Sequence, residues 1–106
     1  MAEINSNIVK LELLDSNVVE LTLNFKKLLW LRANGYEKEV KAAMQAIGGQ
    51  TLDILEMPYL FYAAYLCATT EPAYTQDDFI GNVPFDMEIV STTFANLMSK
   101  KKVKAS

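Results

Sequence analysis

The stretch MPYLFYAAYLCA, from Met57 to Ala68, has the length and composition of a helix and contains no charged residue. A helix on the surface of a globular protein has an apolar stripe and a polar opposite side. A helix that is apolar on every side is therefore a membrane span, the centre of a packed domain, or a helix covered by another protein. The stretch is shorter than the roughly 18 apolar residues that cross a bilayer, which excludes the membrane.

The composition is that of one globular domain. The chain has 106 residues, of which 51% are hydrophobic and 22% are charged, and chains of this size form a single core. We expect one globular domain over residues 1–99 and a basic tail over residues 100–106. The N-terminus MAEINSNIVK lacks the basic and apolar layout of a signal peptide, so synthesis in the cytoplasm is expected.

The net charge of −3 is unevenly distributed along the chain. Residues 1–99 carry six basic and thirteen acidic groups, a net charge of −7, because four of the ten basic residues stand at the end: Lys100, Lys101, Lys102 and Lys104. Nucleic-acid binding needs clustered cations on a surface that does not repel the phosphate backbone. We therefore expect no nucleic-acid partner.

Apolar and polar residues alternate in the segment IVKLELLDSNVVELTLN, which predicts a β-hairpin over about residues 8–24. One face of the hairpin has to be buried against helices, because a lone hairpin is marginal in water. The predicted buried residues are Val9, Leu11, Leu13, Val19, Leu21 and Leu23.

Helical spacing begins at Phe25 and continues, with interruptions, to about residue 99. The first predicted helix is capped by Asn24, and the central one starts at Pro58 and runs to about Thr69 or Thr70. Thr51 is a predicted cap for the turn TLDILE; Thr75 with Asp78, and Asp86, mark two later helix starts. The fold class is α+β, mostly α, with the hairpin packed on a compact bundle of about five helices.

The spacing also predicts which side of each helix is buried. For the first helix these residues are Phe25, Leu28, Leu29 and Leu31, with Arg32 as the alternative to Leu31. For the second they are Tyr36, Val40, Ala43, Met44 and Ile47, and for the last they are Ile89, Val90, Thr93, Phe94, Leu97 and Met98.

No combination of residues in the sequence predicts a reaction, a metal or a cofactor. Histidine, the commonest general acid–base residue and metal ligand, is absent. Cys67 is the only cysteine and is expected to be a small buried hydrophobic residue. The neighbours Asp77 and Asp78 diverge by about 100° on a helix, so they cannot share an ion. We expect a protein that is not an enzyme.

The tyrosines of the central helix leave two interpretations open. Each hydroxyl needs a hydrogen-bond partner or access to water, and tyrosine is favoured where an apolar surface meets a wet rim. The helix is then either core alone or core with an interaction face that serves self-association or another protein. The candidate partner-binding residues are Tyr59, Tyr62, Tyr65, Phe94, Leu97 and Met98.

The order of segments resembles the tail assembly chaperones of long-tailed phages that infect Gram-positive bacteria. The resemblance rests on the hairpin, on NFKKLLWLRANG at residues 24–35, on the glycine-ended helix that follows, and on LDILEMPYLFYAAYLCATTEPAYTQDDF at residues 52–79. It implies a protein of the host bacterial cytoplasm that coats the tape-measure protein, keeps it soluble, helps to recruit tail-tube subunits and is absent from the mature virion. It also implies a second, longer form of the protein that is made by ribosomal frameshifting. The consecutive lysine codons of Lys100–Lys102 would suit such a frameshift, because they are slippery.

Two other classes remain open. A small acidic inhibitor acts by protein–protein binding, but a nucleic-acid mimic lines its carboxylates along one face, whereas here they are scattered: Glu12, Glu20, Glu37, Glu39, Asp53 and Glu56. A structural head–tail completion protein would instead stay in the virion. A homo-oligomer is compatible with each of the three classes.

Overall fold

A computed structural model describes residues 8–99 of the chain, and the predicted basic tail at residues 100–106 lies outside the described residues. The elements are β1 (Val9–Glu12), β2 (Val18–Leu21), α1 (Phe25–Ala33), α2 (Glu37–Ile47), a 3₁₀ turn (Ile54–Glu56), α3 (Met57–Ala68), α4 (Gln76–Gly81) and α5 (Met87–Met98). This order confirms the predicted α+β, mostly α class, with a hairpin and five helices. No helix within the described residues is long and apolar enough to cross a membrane.

The two strands pair as the predicted antiparallel hairpin, with Val9 opposite Leu21 and Leu11 opposite Val19. These four side chains are buried, as is Leu13 just beyond β1. The hairpin is attached to α3 through its backbone, because the N–H of Thr22 donates to the carbonyl of Ala64 at 3.2 Å. Alternation therefore predicted the buried face correctly.

Helix α3 is the centre of the domain. All seven residues from 60 to 66 are buried, and α3 contacts α1, α2, α4, the 3₁₀ turn and β2. Each large side chain buried in this way contributes about 1.5–3 kcal/mol of hydrophobic free energy. The helix lacks charge because other parts of the same chain surround it. It ends at Ala68, slightly before the predicted Thr69 or Thr70.

The helix starts are capped largely where the sequence predicts. The capping bonds run from Lys27 N–H to Asn24 Oδ1 (2.9 Å), from Asp78 N–H to Thr75 Oγ1 (3.2 Å), and from Glu88 N–H to Asp86 Oδ1 (2.9 Å). The cap predicted at Thr51 is wrong: Asp53 caps the 3₁₀ turn by accepting from the N–H of Leu55. An aspartate suits this place because its carboxylate reaches the free N–H groups of a first turn.

The buried face of α2 is rotated from the predicted one. Met44 and Ile47 are 46% and 41% exposed, although Val40 and Ala43 are buried as expected. The other buried residues of α2 are Glu39, Ala42 and Ala46. Small alanine side chains let the backbones of two helices approach closely, so α2 turns its alanines inward and leaves the larger side chains outside.

Glu39, one of the carboxylates that are scattered in the sequence, is only 1% exposed. Its carboxylate accepts a hydrogen bond from the side-chain amide of Gln76 on α4. A buried carboxylate without a partner would be costly, so this bond compensates part of its desolvation and attaches α4 to α2.

A matched pair of phenylalanine substitutions tests where the stability of the fold lies. Phe61 on α3 is fully buried, whereas Phe85 is 91% exposed. We expect Phe61→Ala to lower the free energy of unfolding by about 3–5 kcal/mol, because it leaves a cavity. Phe85→Ala should change it by no more than about 0.5 kcal/mol. Urea denaturation followed by circular dichroism measures both, and equal losses would contradict the central position of α3.

Candidate protein-binding surface

Two of the three tyrosines predicted to face a partner are in the core. Tyr62 and Tyr65 are only 2% and 6% exposed. Their rings stack on each other with centroids 5.9 Å apart, and both pack against Phe79 of α4 at 5.2 Å and 5.1 Å. Burial on every side of α3 corrects the expectation that these two residues form a binding stripe.

The hydroxyls of these tyrosines hold the segment between α3 and α4. Tyr62 donates to the carbonyl of Tyr74 at 3.0 Å, and the N–H of Ala73 donates to the hydroxyl of Tyr65 at 2.7 Å. Buried tyrosine hydroxyls need such partners. The hydroxyl groups that suggested an interaction rim are therefore used inside the domain.

Tyr74 extends this network to the hairpin turn. Its hydroxyl donates to Asp15 Oδ2 at 2.7 Å and accepts from Asn17 Nδ2 at 2.8 Å. The hydrogen bond from Tyr74 lowers the pKa of the Asp15 carboxyl and, in return, the bond to Asp15 raises the pKa of Tyr74. The hairpin turn that contains Asp15 and Asn17 is thus held to the segment before α4.

The pH dependence of stability tests the burial of the tyrosine cluster. Burial, followed by the charge interaction with Tyr36, raises the pKa of Tyr62 from 10.0 to about 12. The unfolded chain therefore loses the Tyr62 proton before the folded chain does. This contribution to stability is complete below pH 10 and is lost as the pH rises toward 12.

We expect the urea midpoint of the wild type to fall over this alkaline range, with tyrosinate absorbance rising late. The control is Tyr62→Phe, which lacks the ionising group and should show a lower midpoint at neutral pH with a shallower alkaline decline. A wild type and a variant that decline in parallel would show that Tyr62 ionises freely.

The other predicted binding residues differ in their exposure. Leu97 is 6% exposed and belongs to the core, which corrects its assignment to a binding face. Phe94 and Met98 are half-buried and pack against the core, and Tyr59 is half-buried on α3. Of the six candidate binding residues, Tyr59 lines a surface cleft together with residues of α2.

Helix α1 carries an exposed apolar surface that the sequence reading assigned partly to the core. Phe25 and Leu29, both predicted to be buried, are 63% and 58% exposed, and Trp30 is 53% exposed. Within α1 only Leu28 and Leu31 are buried. Phe25 and Leu29 are four residues apart, so they share one side of the helix.

Three cations surround these apolar side chains. We call this set the α1 surface, which consists of Phe25, Lys26, Lys27, Leu29, Trp30 and Arg32. Helices α1 and α3 contain no carboxylate, and no ion pair within residues 8–99 engages the three cations. The α1 surface therefore combines apolar area with positive charge that the described chain leaves uncompensated.

Trp30 stands between two clefts. The Nζ atom of Lys27 lies 5.4 Å from the centroid of its ring, in the geometry of a cation–π contact. One cleft, of about 310 Å³, reaches from Trp30 to Cys67, and the other, of about 70 Å³, reaches to Leu66 and Pro72. The α1 surface is thus not flat, because two clefts beside Trp30 are open to side chains of another molecule.

Cys67 lines the larger of these two clefts. Cys67 is half-buried and not, as expected, fully buried, and burial raises the pKa of its thiol, which keeps the sulfur protonated and unreactive. Among residues 8–99 no group of three histidine, cysteine, aspartate or glutamate side chains is placed to hold a metal ion.

The sequence contained a signal for the α1 surface that periodicity alone did not resolve. The segment FKKLLWLRA has large apolar residues on both sides of the helix, so the predicted buried side wrongly included Phe25 and Leu29 with Leu28 and Leu31. A nine-residue helix at the edge of a small domain can bury only one side, and the other side has to remain exposed.

Comparisons of the chain with protein-family models, with curated proteins and with solved structures gave no match.

Proposed function

We propose that the protein is a non-enzymatic tail assembly chaperone, which binds the tape-measure protein of a phage tail in the host cytoplasm. It keeps that long helical chain soluble, promotes assembly of tail-tube subunits and leaves before the virion is mature. The observation that carries the proposal is the α1 surface, because Phe25, Leu29 and Trp30 are each more than half exposed on one short helix, and exposed apolar side chains rimmed by polar ones mark interaction sites.

The geometry of the α1 surface fits a helical partner. An amphipathic helix binds by placing apolar residues at every third or fourth position against an apolar surface. Trp30, between two clefts, has the properties of a central anchor residue, since tryptophan and arginine dominate the binding energy of interfaces. Lys26, Lys27 and Arg32 add positive charge at the rim, which favours partner helices with carboxylates beside their apolar stripe.

The charge of the rest of the chain supports the same role. Residues 1–99 carry a net charge of −7, and proteins with a net charge far from zero remain soluble and separate. Many copies of this acidic protein, bound along a long apolar helix, would keep the complex soluble. An inhibitor that mimics nucleic acid has less support, because the exposed α1 surface is apolar and cationic.

Co-expression with the long helical protein encoded beside this chain tests the proposal. We expect affinity purification to recover a soluble complex, and light scattering to show many copies of this protein for each partner molecule. If the partner stays insoluble and this protein elutes alone, the chaperone function is wrong.

A pair of double variants then tests the surface. Leu29→Ser with Trp30→Ser should weaken binding about 30-fold or more, the effect of losing roughly 2 kcal/mol at an anchor residue. The matched control is Met44→Ser with Ile47→Ser, which removes two exposed apolar residues from α2 and should bind as the wild type does. Circular dichroism checks that both variants fold. Equal binding by the two double variants would place the partner elsewhere.

A further inference from the structure

Phe85 is the most exposed large apolar side chain of the described chain, at 91%. It precedes Asp86, the N-cap of α5, and from this position an apolar residue often packs back onto the fourth residue of the helix. Here that residue, Val90, is buried among other side chains while Phe85 points into solvent. Phe85 therefore has no role in capping α5.

Two acidic residues stand close to Phe85 in the chain. Asp86 follows it, Glu88 comes two positions later, and Met87 between them is 63% exposed. No lysine or arginine occurs between residues 42 and 99. We call Phe85, Asp86, Met87 and Glu88 the α5 knob: an apolar projection with negative charge at its base.

A cleft with the opposite properties lies between α2 and the start of α3. Its volume is about 290 Å³, and its lining residues are Lys38, Lys41, Ala42, Gln45, Glu56 and Tyr59. The Nζ atom of Lys38 lies 5.8 Å from the centroid of the Tyr59 ring. Two cations against one carboxylate make this Tyr59 cleft positive, while Ala42 and the Tyr59 ring make part of its wall apolar.

We propose that the α5 knob of one copy of this protein inserts into the Tyr59 cleft of a second copy. The size is suitable, since a cavity of about 150 Å³ already holds benzene and a phenyl ring therefore fits in about 290 Å³. The charges are complementary, with Asp86 and Glu88 of the knob opposite Lys38 and Lys41 of the cleft. An apolar projection that fits a cleft elsewhere on the same molecule produces association between copies.

The contact leaves the α1 surface free, because none of the knob or cleft residues belongs to α1. The inference is thus independent of the proposed function. Copies joined in this way would form a reciprocal pair or an open chain, depending on the relative direction of knob and cleft.

Sedimentation of the full-length protein alone tests the inference. Small contacts of this kind are typical of weak complexes, so we expect the average mass to rise with protein concentration, with half-association at a concentration on the order of 100 μM. Phe85→Ser should raise that concentration about tenfold or more. The control Leu29→Ser, on the α1 surface, should leave it unchanged.

Charge reversal identifies the two sides of the contact. Glu88→Lys alone and Lys38→Glu with Lys41→Glu should each be monomeric, because the first places a lysine opposite Lys38 and Lys41 and the second leaves knob and cleft both negatively charged. Mixing the two variants should restore association, since each supplies the side that the other lacks. Asp86 is left unchanged because it caps α5.

Three results would overturn the inference. The wild type could remain monomeric over the whole concentration range, it could associate with no loss on Phe85→Ser, or the mixed charge variants could fail to associate although circular dichroism shows that both are folded. None of these results bears on binding of a helical partner through the α1 surface, which is measured separately.

Discussion

The structure depends on the enclosure of α3. Seven consecutive buried residues leave this helix no side that can face water, and α1, α2, α4, the 3₁₀ turn and β2 cover it. Two of the seven are tyrosines, and their hydroxyls need partners in a place that water does not reach. The segment between α3 and α4 supplies those partners, and Tyr74 in that segment connects in turn to the hairpin at Asp15 and Asn17. The hydrogen-bonding requirement of two buried tyrosines thereby fixes the segment between α3 and α4 and, through Tyr74, the hairpin turn.

A domain of this size has one core, and α3 occupies most of it. The surrounding helices can bury only narrow faces, which is why α1 buries two residues and α2 buries mainly alanines. Apolar side chains beyond that need remain outside. On α1 they are surrounded by cations, and at the start of α5 by carboxylates, so the exposed apolar surfaces of one small chain differ in charge. Two surfaces of opposite charge favour partners of different charge.

Local patterns were sufficient for much of the fold. Alternation predicted the hairpin and its buried face, and the caps at Asn24, Thr75 and Asp86 were found from residue type and spacing alone, because caps and alternation depend on neighbours along the chain. The exposed apolar side of α1 was missed for the opposite reason. Where a helix is apolar on both sides, as α1 is, the sequence does not say which side meets the core.

The sequence by itself determined the fold class, the element order, the central position of an uncharged helix and the acidic balance of the chain, because each follows from composition or local periodicity. Only the tertiary structure decided that Tyr62 and Tyr65 are buried in the core and that Glu39 is buried against Gln76. It also decided which large apolar side chains remain exposed: Phe25, Leu29, Trp30 and Phe85. Burial of a particular side chain depends on which elements pack beside it, and that arrangement is a property of contacts between residues distant in the chain.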